Sequence, residues 1–258
     1  MAKRNYVIHT ETEIVGIRAA GALARQILEE VCAFVRPGMS TLQIDQYAGE
    51  IFKKYQSESA FLHYRGFPGQ ICISVNDEIV HGIGRADRVL AVGDIVSVDC
   101  GVRKDGFIGD NAMTICLGPA SGEIAQLLEV TERSLMAGIG AARGGNTVYD
   151  ISLAVNKVIV EAGFSAVRDF VGHGVGTALH EPPDVPNFPS RKSREKLRPG
   201  MVLAIEPMVN IGTHRFTIDA DNWTVRTADS KLSAHFEHMI LITEKEPEIL
   251  TWPKTQSV

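Results

Sequence analysis

Apolar positions near the start of the chain recur at helical intervals. Ile14, Ile17, Leu23, Ile27, Leu28 and Val31 follow a Thr10-x-x-Glu13 capping box, and Pro37-Gly38 closes the run. A second box, Ser40-x-x-Gln43, opens a helix carrying Leu42, Ile44, Tyr47, Ile51 and Phe52. Over 71–118 the texture changes to Val- and Ile-rich runs cut by Asn-Asp, Val-Gly-Asp and Lys-Asp-Gly, which predicts strands joined by turns. Helical spacing returns over 123–142 and 147–162, separated by Arg143-Gly144-Gly145, with Thr147-x-x-Asp150 at the second start. From about 168 the chain reads as strand and loop again.

The order is therefore helix, helix, strands, twice over, and individual residues repeat with it. Arg36-x-Gly38-x-Ser40-x-x-x-Ile44 matches Arg143-x-Gly145-x-Thr147-x-x-x-Ile151, an offset of 107 (143 − 36). Gly93-Asp-Ile-Val-Ser-Val-Asp99 matches Gly200-Met-Val-Leu-Ala-Ile-Glu206 at the same offset of 107 (200 − 93). Two independent matches at one spacing predict an α+β body of two pseudo-repeats, about 10–120 and 121–250. Each would contribute strands to a shared, mostly antiparallel central sheet. No linker is visible, so residues 1–258 read as one domain.

Composition narrows the function classes. A hydrophobic content of 45% and a charged content of 22% are ordinary for a globular protein of 258 residues. The net charge of −5 argues against nucleic-acid recognition, and the one basic cluster, Arg191, Lys192, Arg194, Lys196 and Arg198, is interrupted by Glu195 and reads as a solvated face. Cys32, Cys72, Cys100 and Cys116 are widely spaced in apolar stretches, which suggests free thiols in a reducing compartment. The basic N-terminus has no apolar run behind it, and no segment approaches a membrane span, so a cytoplasmic location is expected.

The candidate chemistry lies in carboxylates at strand ends. The repeated strand ends on Asp99 in the first half and on Glu206 in the second; each half then places a further acid before an apolar strand, Asp110 and Glu237. Asp99 and Asp110 belong to one hairpin turning at Lys104-Asp105-Gly106. With Asp105-Gly106 as the loop, Asp110 faces Gly101 and is diagonal to Asp99; with Lys104-Asp105, the two acids face each other. Either register puts both on one face with Cβ atoms about 4.5–8 Å apart. Carboxylates that close repel unless one is protonated or a cation lies between them.

Gly172-His173-Gly174-Val175-Gly176 adds an imidazole among glycines, and His81 and His180 lie in further motifs of their own. Any one of these residues alone would read as a turn, salt-bridge or core residue. Together, four acids and His173 form an oxygen-rich set that suits Mn, Fe(II), Co or Zn and exceeds the needs of one small ion. Two divalent ions about 3.5–4 Å apart, bridged by carboxylates, would use all five.

Seven ordered motifs carry a resemblance: Val80-His81-Gly82-Ile83, Val98-Asp99-Cys100-Gly101, Gly109-Asp110-Asn111-Ala112, Gly172-His173-Gly174-Val175-Gly176, His180-Glu181-Pro182, Ala204-Ile205-Glu206-Pro207-Met208 and Phe236-Glu237-His238. Over about residues 8–252 the chain resembles the type I methionine aminopeptidases. The resemblance implies the pita-bread fold and removal of N-terminal methionine ahead of a small second residue. It makes Asp110 and Glu237 bridging ligands, gives Asp99 to one metal, and gives His173 and Glu206 to the other. Glu206 would also carry a proton, His180 would stabilise the oxyanion, and His81 would contact the substrate amide. The methionine pocket would include Phe61, Tyr64, Phe67, Cys72, Leu179 and Trp223. Phe61, Phe67 and Leu179 depart from the cysteine, tyrosine and aromatic residue frequent there, yet keep the pocket apolar. The implied partners are nascent polypeptide N-termini, with the ribosome behind them, and nothing demands more than a monomer.

Two rivals share the architecture. Aminopeptidase P and prolidase resemble this metal set, but usually carry a large extra N-terminal domain, whereas about ten residues precede the first helix here. A non-catalytic binding protein on the same fold would typically have lost ligands, and all five positions are filled.

Overall fold

Three of the four α-helices among the described residues begin on reciprocal caps. In the computed structural model, which describes residues 6–120, 122–191 and 193–252, helix α1 spans Glu11–Phe34. The Glu13 carboxylate accepts the Thr10 N–H at 2.7 Å, and the Thr10 hydroxyl accepts the Glu13 N–H at 3.3 Å. Helix α2 (Thr41–Lys54) repeats this with Ser40 and Gln43, and α4 (Val148–Glu161) with Thr147 and Asp150. Helix α3 covers Gly122–Ala141. Helix α1 stops before Arg36, the residue that Pro37 restricts to an extended conformation. Met1–Asn5 and Lys192, on which the leader and basic-cluster readings partly rest, lie outside the described residues.

The 107-residue repeat is also a repeat of hydrogen bonds. Gly38, Leu90 and Thr41 donate N–H groups to the carbonyls of Leu90, Met39 and Arg88; Gly145, Leu197 and Val148 donate to those of Leu197, Asn146 and Glu195. Each donor and each acceptor in the second set is 107 residues beyond its counterpart. In both halves this brace fastens the start of the second helix to the segment that leads into the central strand.

All strand pairings among the described residues are antiparallel. In the first half Ile95–Lys104 lies between Cys72–Val75 and Phe107–Cys116. In the second, Val202–Ile205 lies between His238–Leu241 and Gly172–Gly174, and the latter also pairs with Glu181–Val185. The halves meet where the Glu237 N–H donates to the Ala112 carbonyl at 2.9 Å and the Thr114 hydroxyl to that of His235 at 2.8 Å. Helix α1 lies so close to the Phe107–Cys116 strand that a Cβ on Gly109 would collide with the Ala20 carbonyl.

A bidentate ion pair ties α1 to the C-terminal strand, with Arg18 Nε and Nη2 at 2.7 and 2.8 Å from the two oxygens of Glu248. Arg18 holds the Glu248 carboxyl below its usual value of 4.5. A lowered carboxylate contributes stability above its unfolded value and loses it as pH falls through the folded one. Both side chains are about two-fifths exposed, so screening limits the pair to about 1 kcal/mol or less. Thermal melts of Glu248→Gln should therefore lie slightly below wild type at pH 7 and converge with it near pH 3; a gap that persists in acid would contradict this.

Candidate metal centre

The hairpin's turn sets the spacing of its acids. Asp105 and Gly106 both have positive φ (50° and 84°), as a two-residue type I′ loop requires. That fixes Lys104 opposite Phe107 and Gly101 opposite Asp110, with Asp99 opposite Ala112. Of the two registers open to the sequence, the structure adopts the one in which Asp99 and Asp110 are diagonal neighbours. Gly101 leaves room beside them, because a Cβ there would run into the Phe61 ring.

The second half supplies the other ligand candidates. Glu206 directly follows the Val202–Ile205 strand, and Glu237 precedes His238–Leu241, anchored by its N–H on Ala112. His173 sits at a bulge in its short strand, with Nδ1 2.9 Å from the Gly174 carbonyl oxygen. That oxygen can only accept, so Nδ1 carries the proton and Nε2 presents a lone pair. Nε2 lies 3.5 Å from Glu206 Oε1 and 4.0 Å from Asp110 Oδ2. Burial pushes the His173 pKa down to about 3, which keeps the ring neutral.

Acceptors therefore face acceptors, and the carboxyl groups register the strain. Burial lifts Asp99 to about 7; it raises Asp110, Glu206 and Glu237 well above the usual range, with mutual repulsion adding to the shift. Asp99 Oδ1, Asp110 Oδ1 and Glu237 Oε1 are buried without a hydrogen-bond partner. Asp110, His173 and Glu237 each offer a ligand atom within 4.8 Å of the others. A buried set of oxygens plus one neutral imidazole nitrogen, with orphaned lone pairs, fits divalent cations.

Above this floor opens a cavity of about 340 Å³. Phe61, Phe67, Cys72, Leu179 and Trp223 supply apolar wall, and all five acid and imidazole candidates reach its base. The Asp221 carboxylate fixes the Trp223 loop by accepting the N–H groups of Trp223 and Thr224, both at 2.8 Å. His81 meets Phe170 and Trp223 edge-on, with ring centres 5.4 and 6.2 Å apart. Burial pushes the His81 pKa down to about 4, so this ring too is neutral near pH 7. His180 stacks on Tyr64, with its Nδ1 2.9 Å from the Tyr64 hydroxyl, and its ring centre is 4.2 Å from that of His173.

Every candidate site residue singled out from the sequence thus lines one cavity. The structure adds Arg65, Val80, Asp169, Phe170, Val171 and Met208 to the lining. Phe170 lies three residues before His173, at the start of the segment that reads as strand and loop. Just behind the cavity is His235, buried, with Nε2 unpartnered and 3.8 Å from Glu206 Oε2. The Glu206 carboxylate therefore lies between two imidazoles, one near each oxygen. His235 precedes Glu237 by two, the spacing at which strand side chains share a face, and that was its only signal in the sequence.

Comparisons with known proteins show the family and the fold. The family model for metallopeptidase family M24 matches residues 15–244. The methionine aminopeptidase of Clostridium acetobutylicum is 42% identical over 245 residues, covering 95% of this chain and 98% of that one. The crystal structure of methionine aminopeptidase from Rickettsia prowazekii superposes with a TM-score of 0.92 at 35% identity, covering 96% of this chain and all of the other. A prolidase from Pyrococcus furiosus shares the fold at a TM-score of 0.79 and 22% identity, but this chain covers only 66% of it.

Proposed function

Because this chain belongs to metallopeptidase family M24, among the bacterial-type methionine aminopeptidases, we propose that it removes the N-terminal methionine of polypeptides at the centre described above. The observation that carries the reading is the juxtaposition of an apolar cavity with a floor of four carboxylates and one imidazole, of which Asp110, His173 and Glu237 are buried. Asp110 and Glu237, one from each half, would hold the divalent ions together with Asp99, His173 and Glu206. When bound, the ions supply Lewis acidity that makes water a nucleophile near neutral pH and polarises the scissile carbonyl.

The chain's own groups do the rest. Phe61, Phe67, Cys72, Leu179 and Trp223 take the methionine side chain. The rings of Tyr64, His81, Phe170 and His180 crowd the same cavity and favour a small second residue. Glu206 accepts the proton of the attacking water and delivers it to the leaving amine. His235 Nε2 lies 3.8 Å from the second Glu206 oxygen, which places the carboxylate between two rings. With the Tyr64 hydroxyl donating to His180 Nδ1, Nε2 carries the ring proton and donates to the oxyanion. His81 contacts the substrate amide.

The setting of this activity is inferred as the cytoplasm, acting as a monomer and single catalytic domain on nascent chains. Four free cysteines support the compartment, and no described helix is long and apolar enough to cross a membrane. Peptide release tests the reaction: Met-Gly-Xaa peptides should lose methionine, and Xaa-Pro peptides should remain intact. Cleavage of the second set alone would favour the proline-directed reading. Dialysis against a chelator should abolish release, and Mn, Co, Fe(II) or Zn added singly should restore it. Full turnover after chelation would remove the metal assignment.

A further inference from the structure

His9 and Glu181 form a pair that the chemistry above leaves unused. His9 Nε2 lies 3.1 Å from Glu181 Oε2, and the two side chains are only 1% and 6% exposed. A carboxylate buried so deeply is costly unless paired and hydrogen-bonded. Its other oxygen, Oε1, accepts the Thr177 N–H, the Thr177 hydroxyl and the Ala178 N–H, each at 2.9 Å. Residues 177–181 are thereby folded around the Glu181 carboxylate, and this loop carries Leu179 and His180.

His9 is itself fixed from two sides. Its N–H donates to the Gly200 carbonyl at 2.9 Å, just ahead of the strand that leads to Glu206. Its ring packs on Gly176, where an added Cβ would fall 2.5 Å from His9 Cε1. The Gly176 carbonyl in turn accepts the Ile108 N–H at 2.8 Å, from the strand that carries Asp110. Elsewhere in the loop the Ala178 carbonyl accepts the Gly176 N–H at 3.2 Å and Leu179 is buried, while Thr177, Ala178 and His180 are exposed and His180 Nδ1 shares a hydrogen bond with the hydroxyl of another cavity-lining residue, Tyr64.

We propose that His9 is a positioning residue for His180, acting through Glu181 to hold the 177–181 loop where His180 meets the substrate carbonyl. The proposal rests on the role given to His180 above. His9 touches no reacting atom, yet a displacement of about 1 Å at a catalytic group can cost on the order of 100-fold in rate.

The test compares His9→Ala, His9→Gln, Glu181→Gln, His180→Ala and the double variant His9→Ala/His180→Ala on a Met-Gly-Xaa peptide. Metal per chain and thermal midpoint are measured alongside. His9→Ala should lower kcat by roughly 10-fold with little change in KM and unchanged metal content. His9→Gln, which keeps an N–H donor, should recover most of the loss, and Glu181→Gln should reproduce part of it. In the His180→Ala background, His9→Ala should lower kcat no further. Wild-type kcat in His9→Ala, an undiminished effect in the double variant, or loss of metal would each overturn the proposal. Should His9→Ala not fold, Glu181→Gln and its combination with His180→Ala decide by the same criteria. An active His180→Ala single variant would instead remove the role of His180 itself, read without reference to His9.

Discussion

Glu206→Gln is expected to lower kcat by roughly 10²–10⁴-fold, the usual range for removing a positioned acid–base group. Glutamine keeps the shape and one carbonyl oxygen, so the pocket walls and the other four ligand candidates have no reason to move. It cannot take up a proton at this position. Steady-state kinetics at saturating divalent metal isolate the chemical step from weakened ion binding. The predicted pattern is a collapse of kcat with KM changed far less. A kcat near wild type would mean that the proton leaves by another route, and Glu206 would then be a ligand alone.

Asp110→Asn should do something less intuitive: abolish turnover and raise the stability of the metal-free protein. In the absence of a cation, Asp110 is buried beside Asp99, Glu206 and Glu237, and burial and repulsion raise the carboxyl pKa values together. Acids with raised folded pKa values bind more protons in the folded state than in the unfolded one. Apo stability must then increase as pH falls toward the ordinary carboxylate range, and decrease as pH rises through the raised values, about 7 for Asp99. An amide at this position has neither a charge to bury nor a proton to take up on folding, which relieves part of that cost at pH 7. A gain of about 1 kcal/mol would appear as roughly 2–4 °C in the melting midpoint under chelation. With metal in excess the order should reverse, because only the wild type gains the linkage term, about 2.7 kcal/mol at 100 times Kd. A variant that melts below wild type with chelator present would show that the cluster is not repulsive as described.

The sequence exposed this centre well because buried acids have few uses. A carboxylate at the end of an apolar run, such as Asp99 after Ile95–Val98 or Glu206 after Val202–Ile205, has no inexpensive structural role. Their recurrence at a fixed spacing turned separate coincidences into one pattern, and the capping boxes marked the helices for the same local reason. The hairpin register stayed open, since Lys104-Asp105 and Asp105-Gly106 can both turn; the positive φ at Asp105 and Gly106 decides it. His235 and Phe170 were hidden because their partners are remote in the chain and their neighbours look like ordinary strand and loop. His9 was hidden for the same reason, since nothing near residue 9 announces Glu181.

The division of the candidate ligands between the halves has a mechanical consequence. Asp99 and Asp110 come from the first repeat, and His173, Glu206 and Glu237 from the second. A cation held by both sets would act as a rivet across the seam where Glu237 donates to Ala112. Each repeat has its own brace between helix and strand, and the seam between repeats rests on the Glu237–Ala112 and Thr114–His235 hydrogen bonds. A bound cation would therefore add to the hold across that seam as well as supply the chemistry, and stripping it should lower stability at the seam before it touches either brace.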